Sequence, residues 1–212
     1  ISLVALVLGG LALGLAWPVP VYLLPTLLVN AMTMWAVSRS ARRWQIKRSW
    51  LTRVGLVWLS LAWIVLVGLL AGRIDWAMTD PRLLIQSLLS ILSAKALILP
   101  VVLCALLSQW SLYRKDIRAA HGYWITCGLM GLVSVTLLTV KGFGLEADSG
   151  QITWVYVLYA VIALLAAWRL RNPLPTWCSC VMMQLALFEQ LIFVRPFETF
   201  IWPTAILISA SL

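Results

Sequence analysis

Residues 83–108 read LLIQSLLSILSAKALILPVVLCALLS, an apolar run with a single ionisable group, Lys95. As one helix this run covers about 39 Å, more than the ~30 Å hydrocarbon core of a bilayer. It therefore reads as a membrane span that is tilted, or kinked at Pro100. On that reading Lys95 lies close to mid-depth. A charge there costs about 3 kcal/mol or more by insertion scales and requires a partner or a wet cavity.

The rest of the chain has the same character. It is 63% hydrophobic and 11% charged over 212 residues, whereas soluble domains carry roughly 25% charged residues. Apolar runs recur at 1–16, 21–37, 54–72, 124–140, 152–168, 178–194 and 201–212. With 83–108 they predict an all-α polytopic transmembrane helix bundle of about eight spans, one domain over 1–212. The chain starts at Ile1 and the last run stops in mid-span, so both ends are expected to be truncated. Residues 1–16 lack a basic n-region and a convincing cleavage site, which favours a span over a signal peptide.

The net charge of +9 does not point to nucleic acid, because the cations are gathered in particular loops. Arg39, Arg42, Arg43, Lys47, Arg48 and Arg53 fall between spans two and three. Arg114, Lys115 and Arg118 fall between spans four and five, and Arg169 and Arg171 between spans six and seven. These loops hold eleven Lys/Arg and one acid, Asp116. The alternate loops hold Arg73, Arg82, Lys141 and Arg195 against five acids. By the positive-inside rule the basic loops are cytoplasmic, and both ends of the bundle then face the cytoplasm. The expected location is a bacterial inner membrane. Most tryptophans lie near span ends, as an interfacial belt. Arg39, Arg42, Arg43, Lys47 and Arg48, interleaved with Trp44, Ile46 and Trp50, are candidates for contact with anionic headgroups or a partner.

Inside the spans the polar residues are few. Lys95 is about 18 Å below the outer end of its run and Glu189 about 8 Å below the outer end of its own. Opposite signs make a direct or water-bridged pair the first hypothesis; the alternative is that Glu189 snorkels or faces Arg195 while Lys95 holds carbonyls freed at Pro100. Asn30, Gln86 and Gln184 either bond between helices or line a polar path. Small residues mark two close-packing faces: Gly10 and Gly14 in the first run, and Ala160, Ala163 and Ala167 in the sixth. These are the candidate faces for a protein partner.

No metal, haem or other cofactor is expected. His121 is the only histidine. Cys104, Cys127, Cys178 and Cys180 sit near cytoplasmic ends, where thiols stay reduced, and lack a C-x-x-C spacing. There is no nucleophile elbow, H-E-x-x-H, phosphate-binding loop or dinucleotide fingerprint. Asp116 and His121 are five apart and do not share a helical face. The reading that follows is a non-enzymatic integral inner-membrane domain: a subunit, scaffold or sensory membrane region of a larger protein or complex. The alternatives are a permease for a small or lipidic solute using Lys95 and Glu189, and a membrane-embedded lipid-modifying enzyme.

Overall fold

Apolar residues surround most of these segments on all sides, and a helix is the form that satisfies every backbone group within one segment. The computed structural model describes residues 2–40, 48–142, 149–171 and 173–194. Among these the regular structure is entirely helical, with no strand. The helices are α1 Ser2–Ala16, α2 Pro20–Ser40, α3 Arg48–Leu70, α4 Pro81–Leu88, α5 Ile91–Ala96, α6 Ile98–Tyr113, α7 Ile117–Gly142, α8 Ser149–Leu170 and α9 Leu174–Val194.

Among the described residues five stretches are long and apolar enough to cross a membrane: Pro20–Ser38, Trp50–Leu70, Ile91–Tyr113, Ile117–Gly142 and Gln151–Leu170. Large apolar side chains lie on the outside of these stretches, among them Leu70 at 78% exposed and Val140 at 71%. That surface suits lipid and would be a liability in water. The run at 201–212, residues 41–47 with Arg42, Arg43 and Lys47, and Arg195 fall outside the described residues.

The chain divides into two compact units, 1–134 and 135–212, with α7 running through the division. In the first unit α2 and α3 pack closely. Gly55 permits this: a Cβ there would lie 3.3 Å from the Met34 Cβ and 3.4 Å from the Ala31 carbonyl. Leu23, Leu27, Ala62, Val65 and Leu69 form the core of this pair, and Ile74 and Leu84 close it. Gly9 on α1 lets Asn30 of α2 approach, and Asn30 Nδ2 donates to the Gly9 carbonyl at 3.2 Å. In the second unit α8 and α9 form an antiparallel hairpin, with the most extensive helix packing among the described residues.

Helix ends are made locally. At the end of α3, Arg73 N–H donates to the Gly68 carbonyl and Gly72 N–H to the Leu69 carbonyl, a Schellman motif with Gly72 at φ +65°. The end of α6 repeats it without glycine. Asp116 N–H reaches the Ser111 carbonyl, Lys115 N–H the Leu112 carbonyl, and Lys115 takes φ 60°. Asp116 then caps α7, its Oδ1 accepting from Ala119 N–H at 3.0 Å. The loop expected at 109–123 is therefore only three residues long, and Arg118 and His121 lie on α7.

The largest departure from expectation is in the opening stretch. Residues 83–108 are not one helix kinked at Pro100. They are interrupted at Leu89–Ser90 and again at Leu97. At the first break the Ser90 side chain accepts from Ser93 N–H, and Ser93 Oγ donates to the Ser87 carbonyl at 3.1 Å. Serine hydroxyls compete with the helix for backbone groups, and three of them at three-residue spacing end one helix and start the next. Pro100 falls in the first turn of α6, where a missing N–H costs little.

Candidate functional site

The two breaks define the most unusual place in the first unit. Helix α4 is eight residues, about 12 Å, too short to cross a bilayer. The apolar stretch long enough to span begins at Ile91, and Lys95 lies about 6 Å along it. Lys95 is half-buried and sits in the last turn of α5, where a cation complements the negative helix end.

A broken backbone inside a membrane stays only if its freed groups find other partners. Pro100 has no N–H to give the Ala96 carbonyl, four residues earlier. Trp63 Nε1 on α3 supplies that bond at 3.0 Å. Ser134 Oγ on α7 donates to the Ala94 carbonyl at 2.7 Å. The carbonyl of Ala96, freed by Pro100, is thus held by Trp63. Ala96 and Leu97 are buried against Ile64, with Trp63 and Val67 packed beside them. An apolar groove of about 300 Å³ borders the break, lined by Leu28, Leu59, Trp63, Leu66, Pro100 and Leu103 among others. Ser60 is its one polar residue, and that hydroxyl is bonded to the Leu56 carbonyl.

In the second unit Glu189 of α9 is fully buried. Tyr156 of α8, also fully buried, shares a 3.0 Å hydrogen bond with Thr139 Oγ1 near the end of α7. The next residue on α9, Gln190, donates to Thr153 Oγ1 at 2.9 Å. Ser179 Oγ donates to the Ala160 carbonyl at 2.8 Å near the other end of the hairpin. A polar seam thus runs along α8 and α9. Tyr156 and Thr139 carried no signal in the sequence, because a tyrosine and a threonine inside apolar runs look like ordinary packing residues.

The other candidates are dispersed. Asn30 is buried on Gly9, while Gln86 and Gln184 are exposed. Arg39 lies in the last turn of α2 and Arg48 begins α3. Ala160 and Ala167 are buried and Ala163 is half-buried, so that stripe packs within the bundle. Gly10 and Gly14 are different: they are exposed, and a Cβ at either would meet nothing within 4 Å. His121 Nδ1 is 2.8 Å from the Ile117 carbonyl of its own helix, and Asp116 is engaged as a cap. Cys104 and Cys127 are buried, Cys178 and Cys180 exposed. Among the described residues no three His, Cys, Asp or Glu side chains gather in a metal-binding group.

No family model, curated protein or solved structure matches the chain.

Proposed function

We propose that this chain is an integral membrane domain that serves as a non-catalytic subunit or scaffold of a larger assembly, and that α1 is its docking helix. The observation that supports this is the contrast between adjacent glycines. Gly9 is closed by Asn30, whereas Gly10 and Gly14 lie open one turn apart, flanked by Leu11 at 60% and Leu15 at 86% exposed. Lipid tails cover leucine as well as protein does. A pair of glycines four apart instead offers a shallow groove into which a second helix fits closely. A bacterial inner membrane is the location that the loop charges favour. Blue-native electrophoresis of gently solubilised membranes tests the reading. The wild type should migrate as an assembly, and Gly10→Leu with Gly14→Leu should reduce it to the bare chain. An unchanged migration would remove α1 as the docking helix.

A second reading, a permease, draws on the discontinuous helix at Lys95. Interrupted spans are where transporters build binding sites. Lys95 and Glu189 each lie within two turns of the end of their own span expected to face outward, which keeps a functional pair between them a proposal. Solute flux in vesicles lost in both Lys95→Met and Glu189→Gln would favour it over the subunit reading.

A further inference from the structure

The turn from α8 to α9 holds a crevice of about 690 Å³ with two chemically distinct ends. Leu164, Leu165 and Ala167 of α8 give its lining apolar surface, and Trp168, Arg171 and Thr176 line it beside them. The guanidinium of Arg169 stacks on the Trp168 ring, 4.7 Å from its centroid. Trp168 is 70% exposed and Trp177 69%, which is the behaviour of interfacial tryptophans. No acid occurs between Leu164 and Trp177, so two arginines stand without a local counter-charge in sequence. The backbone does not compete for an anion: the N–H groups of Thr176 and Trp177 are already bonded to the Pro173 carbonyl.

We infer that this crevice is a binding site for one anionic glycerophospholipid. An acyl chain lies on Leu164 and Leu165, the glycerol region passes Trp168, and the phosphate meets Arg171 and the Thr176 hydroxyl. A zwitterionic headgroup carries its own cation to the same place and gains less. This site uses none of the basic residues 39–48 and does not rest on the docking role of α1.

Arg171 also permits a clean test. Its φ of 51° is the left-handed conformation that a glycine adopts without strain. Arg171→Gly therefore removes the charge while easing the backbone. Native mass spectrometry of the full chain in dodecyl maltoside, with added phosphatidylglycerol or phosphatidylcholine of matched chains, reads the effect. The wild type should retain one phosphatidylglycerol in preference to phosphatidylcholine. Arg171→Gly should lower that preference about five-fold, the effect of one interfacial cation, and Trp168→Leu should weaken retention of both lipids. Arg73→Gln, one charge removed elsewhere, should leave the preference unchanged. Equal retention of the two lipids by the wild type would overturn the assignment. So would an unchanged preference in Arg171→Gly, an equal loss in Arg73→Gln, or displacement of the lipid by millimolar inorganic phosphate.

Discussion

Trp63 Nε1 donates a 3.0 Å hydrogen bond to the Ala96 carbonyl, the one acceptor that Pro100 leaves without its helical donor. The bond joins α3 to the break between α5 and α6 in a setting with little water to substitute for it. Trp63→Phe should destabilise the protein by about 1–2 kcal/mol, the cost of an unsatisfied buried carbonyl. Pro100→Ala restores an N–H in reach of the same carbonyl. In that background Trp63→Phe should cost about 1 kcal/mol less. Unfolding by SDS titration in mixed micelles, followed by circular dichroism, gives the four stabilities. An additive cycle would separate Trp63 from the proline.

The same pair shows what a linear sequence carries and what it does not. Helices at 21–37, 54–72 and 152–168 were legible because apolar runs flanked by charge have few other solutions; α2 and α8 extend their runs by up to three residues at each end, while α3 begins six residues earlier and ends two residues sooner. Helix breaks inside an apolar run were not legible. Ser87, Ser90 and Ser93 read as tolerated small polar residues; only the capping geometry shows that they end α4 and start α5. The partner of the Ala96 carbonyl lies 33 positions away, and nothing local announces it. Lys95 consequently stands in the last turn of the short helix α5, four residues from the start of the apolar stretch at Ile91.

Gly9 and Gly10 are neighbours with opposite consequences. A Cβ at Gly9 would lie 2.9 Å from Asn30 Oδ1 and would disturb the bond that joins α1 to α2. Gly9→Ala should lower stability by about 1–2 kcal/mol, through crowding and a strained hydrogen bond. Gly10→Ala faces open space and should be neutral or stabilising, by up to about 1 kcal/mol, because alanine is the better helix former. Thermal denaturation of the two purified variants in the same detergent makes the comparison.

Lys115 supplies a test of backbone strain at the α6–α7 turn. It occupies the left-handed position of a Schellman motif, at φ 60°. An L side chain there costs about 1–2 kcal/mol, and glycine gives part of this back through a more flexible unfolded chain. Lys115→Gly should therefore raise stability by about 0.5–1 kcal/mol, read as a higher melting temperature. Lys115→Ala, which keeps the strain, should show no such gain.

Tyr156 and Thr139 share the buried hydroxyl pair beside Glu189. Tyr156→Phe deletes one hydroxyl and Thr139→Val the other at nearly constant shape. Each should cost about 0.5–1 kcal/mol, and the double variant should cost less than their sum by about 0.6 kcal/mol, a typical coupling for a hydrogen bond between membrane helices. SDS titration of the three variants against wild type measures the coupling. A coupling near zero would mean that each hydroxyl is satisfied elsewhere when its partner is removed.

Lys95 separates the two functional readings. At the end of α5 its cation faces the partial negative charge of the helix terminus, an interaction of about 0.3–1 kcal/mol. If the chain is a subunit, Lys95→Met should cost about that much stability and leave the assembly on blue-native gels intact, because α1 carries the docking face. The loss should shrink in Lys95→Arg, which keeps the charge. A permease responds differently. Flux into vesicles should then fall in Lys95→Met by far more than the stability change explains, and Lys95→Arg should not restore it if a compact ammonium is what the solute binds. Measuring stability, assembly and flux on these two variants distinguishes a lysine that holds a helix end from one that handles cargo.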